Sequence, residues 1–175
     1  MVCKKALEEA GGDMEKAKVI LRKISSIAAS KKGDRTLNAG VAAAYTHAGG
    51  AVVGAVVLAS ETDFVSRNEE FSKLAYDIAM HVAAMAPQFK SREEVKESDI
   101  AAAKSVFMEE VQKVPEAARE KALQGKLDSY LKDKVLMEQP FVKNPDVTVG
   151  DLVNQAIQKF GEKVEIVRFA RLSVK

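Results

Sequence analysis

Two short apolar runs on either side of a glycine pair constrain the fold of this chain more than any other feature. They cover residues 40–47 and 51–59, are rich in Val, Ala, Tyr and Leu, and flank Gly49-Gly50. Because such residues favour strands and a glycine pair favours a tight turn, we expect a β-hairpin here. A run of similar character at 164–174 is predicted to be a strand that returns to this hairpin.

The segment after the hairpin has a helical period. Apolar residues recur at helical spacing from Phe71 to Met85, and the pattern stops before Pro87. Ser66 and Glu69 have the spacing of a capping box, in which each side chain accepts from the other's free backbone amide. The sequence therefore predicts a well-defined helix that begins near Ser66 and ends before Pro87.

Three more helices are predicted in the second half of the chain. Residues 97–113 and 116–136 have facing apolar stripes, which indicates an antiparallel helical hairpin. A last helix is expected between Thr148, as its N-cap, and Gly161, which ends it. The proline-containing stretch 138–146 between them is predicted to be extended.

The N-terminal part is predicted to be a small helical segment. Helices are expected at 2–10 and at 13–24, with Asp13 as the N-cap of the second, and the polar residues 25–34 are interpreted as a linker. Strands and helices do not alternate regularly along the chain. The fold class is therefore α+β, with an antiparallel sheet covered by helices, including a helical hairpin, and preceded by the small helical segment.

Charge and cysteine content limit the classes of function. Residues 1–33 carry eight Lys and Arg against four Asp and Glu, whereas the rest of the chain carries nineteen against twenty-one. A basic leading segment could contact RNA or an acidic protein, but the chain has no interleaving of basic and aromatic residues, so nucleic-acid binding is not expected as its main function. A lone cysteine, Cys3, and the absence of a membrane-spanning run or an apolar leader predict a cytoplasmic protein.

No motif in the sequence carries catalytic chemistry. The two histidines, His47 and His81, stand in no nucleophile motif, and His81 within the predicted helix is interpreted as a structural or surface residue. The glycine pairs lack the phosphate-binding patterns of nucleotide sites, and no group of side chains has zinc or calcium spacing. We therefore expect a protein that is not an enzyme and uses no cofactor or metal.

The turn between the hairpin and the long helix is the remaining candidate site. It places Asp63 beside Phe64. Phe64 either packs inward on Phe71, with Asp63 making a local hydrogen bond, or the pair is presented to another molecule. Periodicity alone leaves both readings open.

At the segment ETDFVSRNEEF, residues 61–71, the sequence resembles the elongation factor Ts family. Further matching segments follow in the family's order: CKKALEEAGGDMEKA at 3–17, AYTHAGGAVVGAV at 44–56, LAYDIAMHVAAMAP at 74–87, LMEQPFVKN at 136–144 and VRFARLSV at 167–174. Together these segments cover most of the chain.

The resemblance implies a guanine nucleotide exchange factor for elongation factor Tu, which it would contact in the GDP-bound and nucleotide-free states. Asp63 and Phe64 would insert near the magnesium and nucleotide site of that partner, with Thr62 beside them, so the resemblance predicts that both lie at the molecular surface. His47 becomes a secondary contact candidate, equally well explained as a histidine at the end of the hairpin. Met1 and Cys3 lie where the family's N-terminal contact region begins.

The resemblance also divides the chain. Residues 1–33 correspond to part of a ubiquitin-associated-like helical module and a linker, and residues 34–175 to the family's core, the dimerisation-type domain. Because the module lacks the family's first helix, residues 1–24 are expected either to pack loosely or to rely on a neighbouring segment for burial. Short relatives pair as homodimers, for which the edge of strand 164–174 is a natural place. Ala170 stands where some short relatives have a cysteine, so no disulfide is expected there. The alternative is a structural or RNA-associated helical protein with an incomplete exchange surface.

Overall fold

A computed structural model describes residues 2–174. Within them it has seven helices and five strands. In chain order these are α1 (Val2–Glu9), α2 (Met14–Ser30), β1 (Ala39–His47), β2 (Val52–Ser60), α3 (Asp63–Ser66), α4 (Glu69–Met85), α5 (Glu97–Val111), α6 (Glu116–Lys134), β3 (Pro140–Phe141), β4 (Asn144–Thr148), α7 (Val149–Phe160) and β5 (Val164–Ser173). The predicted α+β class is confirmed.

The three long strands form one antiparallel sheet in the order β1-β2-β5. Ala39 pairs with Ser60 and His47 with Val52, so β1 and β2 form the predicted hairpin around Gly49-Gly50. The predicted return of the last strand is also confirmed, because β5 pairs with β2 along its length. Strand β2 is therefore the central strand of the sheet, and β1 and β5 are its outer strands.

Helix α4 covers the inner face of the sheet. It contacts all three strands, and it approaches most closely at Gly54 of β2. A Cβ atom at Gly54 would collide with the carbonyl oxygen of Ala79 and lie 2.6 Å from the backbone nitrogen of Ala83. The side chains of Leu58, Phe71, Ile78, Val82 and Ile166 fill the space between helix and sheet and form the centre of the hydrophobic core.

Helices α5 and α6 form the predicted antiparallel hairpin. Phe107 meets Tyr130 edge-on with ring centroids 5.9 Å apart, and Lys126 pairs with Glu110 at 2.5 Å. From Phe107 to Glu110 the residue number increases, while that of the contact partner decreases from Tyr130 to Lys126, as expected for antiparallel helices. The chain then crosses back through the small β3–β4 hairpin to α7.

Helix α7 has both predicted ends. The Thr148 hydroxyl accepts from the amide of Asp151, whose carboxylate accepts from the amide of Thr148, which is a complete capping box. Gly161 ends the helix with φ 73°, a left-handed conformation that glycine adopts without strain. These local signals explain why the helix begins and ends where the sequence predicted.

The N-terminal helices differ from the prediction at one point. Asp13 caps α2 as predicted, accepting from the amides of Glu15 and Lys16, but α2 continues to Ser30, so most of the expected linker is helical. The Ser25 side chain is buried and donates to Gln158 of α7. Packing of α2 on α7 therefore overrides the weak helix propensity of serine. The division of the chain at residue 33 stays a prediction.

Candidate functional site

The candidate site is the turn formed by residues 62–68, between β2 and α4. Ser60, the last residue of β2, is fully buried, and its hydroxyl donates to the carbonyl of Thr62 at 2.9 Å. The chain then makes the single turn α3, whose Val65 side chain is 4% exposed and belongs to the hydrophobic core. The turn is thus anchored to the body of the protein at both of these points.

Phe64 points away from that body. Its side chain is 85% exposed, the highest value among the large exposed hydrophobic residues of the described chain. The inward alternative fails because Phe71 is already fully buried and meets Phe160 edge-on, with centroids 5.9 Å apart. Val65 occupies the inward position of the turn instead, so the surface location predicted for Phe64 is confirmed.

The predicted capping box at Ser66 and Glu69 is wrong. Ser66 is the last residue of α3, and its hydroxyl donates to the carbonyl of Asp63 at 3.3 Å. The N-cap of α4 is Asn68, whose side chain accepts from the amide of Glu70 at 2.8 Å. The additional turn of helix moves the start of α4 two residues further along the chain, because an N-cap needs the extended backbone that Asn68 has and helical Ser66 lacks.

Asp63 lies on the surface beside Phe64. Its carboxylate pairs with the Arg67 guanidinium at 2.9 Å, one helical turn away, and 67% and 80% of the two side chains are exposed. An ion pair between two exposed side chains contributes only about 0.3–0.5 kcal/mol. Asp63 is therefore free to exchange this partner for another at little cost.

A second segment, the loop between α7 and β5, holds the turn by hydrogen bonds in both directions. Glu162 accepts from the Thr62 amide at 3.0 Å and from the Thr62 hydroxyl at 2.6 Å. In return, the carboxylate of Glu61 accepts from the amide of Lys163 and also pairs with Arg35 at 3.1 Å. The bond from the Lys163 amide, helped by Arg35, lowers the pKa of Glu61.

Sequence reasoning missed the contribution of these residues. Glu162 lies 100 positions from Thr62, and Arg35 lies 26 positions from Glu61. The only local signal was an acid directly after Gly161, the residue predicted to end α7. The topology that places β5 beside β2 is what brings the two segments together.

His47 lies at the other end of the sheet. Its Nδ1 is 3.1 Å from the hydroxyl of Tyr45, which in turn meets Tyr76 edge-on. His47 pairs with Val52, eight strand positions from Ser60, so it lies about 27 Å from the turn. The structure does not bring His47 together with Asp63 and Phe64.

Cys3 is exposed on α1 and lines a groove of about 600 Å³ between the N-terminal helices and α7. Lys18, Arg22 and Lys159 also line this groove. Met1 lies outside the described residues. The structure therefore brings Cys3 to a surface that is separate from the 62–68 turn.

His81 is fully buried in α4, so of the two interpretations, structural or surface, the structural one is correct. Its Nδ1 accepts from the amide of Val142 at 3.2 Å, which places the proton on Nε2, and Nε2 donates to Gln139 at 2.9 Å. Burial lowers the pKa of the imidazole. His81 thus binds the β3–β4 hairpin to α4 in its neutral form.

Two further observations concern residues 2–174. No helix there has the length and apolar character that crossing a membrane requires. No three His, Cys, Asp or Glu side chains of this part of the chain form a group that could hold a metal ion.

Comparison with known proteins gives a consistent result. A family model described as Elongation factor TS matches residues 18–175. Elongation factor Ts of Alkaliphilus metalliredigens is 45% identical over 176 residues, which cover 99% of this chain and 81% of the relative. The proteins of the same name from Carboxydothermus hydrogenoformans and Thermotoga petrophila are 43% and 42% identical, over 99% and 98% of this chain and 81% and 86% of their own lengths.

Proposed function

The chain belongs to the elongation factor Ts family of translation elongation factors, and we propose that it promotes release of GDP from elongation factor Tu by inserting Asp63 and Phe64 near the partner's nucleotide site. The observation that carries the proposal is the 85% exposure of Phe64 on a turn anchored at both ends. A large aromatic side chain held in water by a rigid backbone is poised to bury itself in a partner.

Phe64 acts as a wedge in this proposal. Exposed aromatic residues are typical anchors of protein interfaces, where they fill apolar pockets at the centre of the contact. Because Val65 and Ser60 fix the turn, little conformational entropy is lost when Phe64 enters such a pocket. The binding energy is therefore available to displace elements of the partner.

Asp63 supplies charge beside the wedge. Mg²⁺ requires near-ideal octahedral coordination, so a displacement of the groups around it weakens its hold on the nucleotide phosphates. The weak pair with Arg67 leaves the Asp63 carboxylate available for polar groups of the partner. The reaction involves no covalent chemistry and no cofactor of this chain, and it takes place in the cytoplasm.

The coupling between GDP and this chain is reciprocal. If this chain lowers the affinity of elongation factor Tu for GDP, GDP lowers the affinity of elongation factor Tu for this chain by the same factor. The partner is therefore bound in its GDP form and held most tightly when it is nucleotide-free. Incoming nucleotide then dissociates the complex.

Other surfaces are proposed as secondary contacts. Met1, Cys3 and the basic N-terminal helices contact the partner, and His47 contacts it from the far end of the hairpin. The amide and hydroxyl of Thr62 are both bonded to Glu162, which supports a role for Thr62 in holding the turn in addition to contact with the partner.

Homodimer formation is proposed at the outer strand β5. Val167 and Leu172 of this strand are exposed, and an outer strand with apolar side chains is a natural place for self-association. Analytical ultracentrifugation tests this proposal: Leu172→Lys is expected to lower the mass to that of a monomer. A wild-type mass of one chain over the micromolar range would reject it.

The exchange proposal is tested by release of fluorescent GDP from elongation factor Tu. The wild-type chain is expected to accelerate release, and Asp63→Ala with Phe64→Ala to reduce the acceleration roughly thirtyfold, the loss expected of an interface hot spot. No acceleration by the wild-type chain would reject the function, whereas full activity of the double variant would reject the insertion alone. RNA binding with a steep salt dependence would favour the RNA-associated alternative.

A further inference from the structure

We propose that Glu162 is a positioning residue for exchange: its carboxylate holds Thr62 and thereby sets the direction in which Asp63 and Phe64 are presented. Glu162 does not belong to the turn and lies 100 positions away in sequence. The inference rests on the proposed function for its effect on GDP release. The holding of the turn itself is measured on the free chain.

Both carboxylate oxygens of Glu162 accept hydrogen bonds from the same residue, Thr62. Oε2 accepts from the Thr62 amide at 3.0 Å, and Oε1 accepts from the Thr62 hydroxyl at 2.6 Å. Thr62 is the N-cap of α3, but its own side chain makes no capping hydrogen bond. The hydroxyl that would ordinarily cap the helix is committed to Glu162, so the bond serves the attachment of the turn to the α7–β5 loop.

The four residues of α3 need this attachment. A single helical turn is unstable without tertiary contacts, because the first turn fixes several backbone angles for one hydrogen bond. Asp63 and Arg67 both lie within the turn, so their ion pair cannot orient the turn relative to the body of the protein. Phe64, with 85% of its surface exposed, contributes little packing of its own.

Two points of attachment control rotation better than one. Val65 anchors the turn in the core, and the two bonds from Thr62 to Glu162 hold its first residue. The neighbouring bond from the Lys163 amide to Glu61 runs in the opposite direction between the same two segments. Together these contacts connect residues 61–62 with 162–163 and fix the axis of α3, on which the directions of Asp63 and Phe64 depend.

The test compares variants that remove or keep individual donors and acceptors. Glu162→Ala removes both acceptors, Thr62→Val removes the hydroxyl donor at nearly constant shape, and Thr62→Ser keeps it. Asp128→Ala is the matched control, because it also removes a carboxylate that pairs with a distant residue, Arg92 at 3.0 Å, but lies on α6. Hydrogen exchange is read at the amides of Ser66, Arg67 and Asn68, which donate within the turn.

Glu162→Ala is expected to raise exchange at these three amides roughly tenfold, which corresponds to the loss of a hydrogen bond to a charged group, and to leave the amides of α4 unchanged. The second-order rate constant for GDP release from elongation factor Tu should fall as well, in proportion to the fraction of turns that keeps the competent conformation. Thr62→Val should also raise hydrogen exchange at these amides, Thr62→Ser should keep it at the wild-type value, and Asp128→Ala should change neither hydrogen exchange nor GDP release. Adding Thr62→Val to Glu162→Ala should have little further effect, because both changes remove the same contact.

Unchanged exchange at the three amides in Glu162→Ala would overturn the proposal without reference to any partner. Faster hydrogen exchange together with undiminished GDP release in Glu162→Ala would overturn the role of Glu162 in nucleotide exchange. The proposed function of the chain would remain intact. If the wild-type chain does not accelerate GDP release at all, the proposed function fails. The hydrogen-exchange measurement alone then decides whether Glu162 holds the turn.

Discussion

At the scale of single residues, two neighbours in the same turn have opposite environments. Phe64 is 85% exposed and Val65 is 4% exposed. Successive side chains on a helix point about 100° apart, so one short turn can present one residue to solvent and bury the next. Here the larger apolar residue is the one in solvent, which is the reverse of what burial alone would select.

Alanine substitutions of Val65 and Phe64 should have different effects on the stability of the fold and on the rate of GDP release. Val65→Ala is expected to lower the free energy of unfolding by about 2 kcal/mol, because it leaves a small cavity in the core. Phe64→Ala should change that free energy by less than about 0.5 kcal/mol while it slows GDP release. Urea unfolding and fluorescent-GDP release measure the two effects. An equal loss of stability in both variants would contradict the outward orientation of Phe64.

At the scale of elements, the position of the turn depends on how closely α4 approaches β2. The approach occurs at Gly54, where a side chain would collide with the carbonyl of Ala79 and the nitrogen of Ala83. Because the turn directly joins β2 to α4, any separation of these two elements also displaces Phe64. The absence of a side chain at Gly54 is therefore a condition for the packing of α4 on β2, the two elements that the turn joins.

Gly54→Ala is predicted to destabilise the protein by about 3 kcal/mol, because neither the backbone of α4 nor that of β2 can move without loss of core packing. Gly125→Ala is the matched control. Gly125 lies in α6 with no atom near the position of an added Cβ, so the same substitution should stabilise the protein by roughly 0.5–1 kcal/mol. Urea unfolding of both variants measures the difference, and effects of the same sign would contradict this account of Gly54.

The N-terminal helices are expected to differ in protection. Helix α2 is attached to α7 through Ser25 and Gln158, whereas the buried residues of α1, Ala6 and Ala10 near its end, pack within the N-terminal pair. Amides of α1 should therefore exchange faster than those of α2 in the isolated chain. Equal protection of the two helices would contradict this difference, and well-protected amides throughout residues 2–24 would contradict the expectation that the segment packs loosely or relies on a neighbour for burial.

At the scale of the whole molecule, a buried polar network joins α4 to the segment that follows the helical hairpin. His81 donates to Gln139 at 2.9 Å, and the Gln139 amide donates to the carbonyl of Asp133 at 2.6 Å. The Val142 amide donates to the other nitrogen of His81. The bond from the Val142 amide requires a neutral imidazole, because a proton on Nδ1 would face that amide.

This arrangement predicts how the stability of the fold depends on pH. Burial lowers the pKa of His81 in the folded protein, while the unfolded chain keeps a value near 6.5. As pH falls below about 6.5, the unfolded state therefore binds more protons, and stability is lost down to the folded pKa at no more than about 1.4 kcal/mol per pH unit. Stability is fully retained above pH 6.5. Urea unfolding between pH 7.5 and pH 5.0 measures this slope above the range in which carboxylates titrate.

Variants identify the histidine responsible. His81→Gln should remove most of the slope, because glutamine does not titrate, whereas His47→Gln should preserve it, because it leaves the contacts of the buried His81 intact. Glu61 has a lowered pKa, so the stability it contributes is lost only as pH falls through the acidic range below about 4.5. A wild-type slope that persists in His81→Gln would assign the dependence to another group.

Much of the fold followed from local sequence patterns. Strands β1, β2 and β5 lie within one or two residues of their predicted bounds, and α7 begins and ends at the predicted Thr148 and Gly161. These predictions are correct because periodicity, caps and turn glycines act between residues that are close in sequence. The two errors, the capping box at Ser66 and the linker after residue 24, arose where packing selected a different local structure.

The candidate site divides in the same way. The sequence by itself determined that Asp63 and Phe64 lie in a turn between a strand and a helix, and the family resemblance drew attention to them. Periodicity left the direction of Phe64 open and the resemblance predicted a surface position, which the tertiary structure confirmed. Only the tertiary structure decided that Glu162, Glu61 and Arg35 hold the turn. The reason is physical: a short turn has no amphipathic period to orient it, and its hydrogen-bond partners are set by the pairing of β5 with β2, a contact between segments about a hundred residues apart.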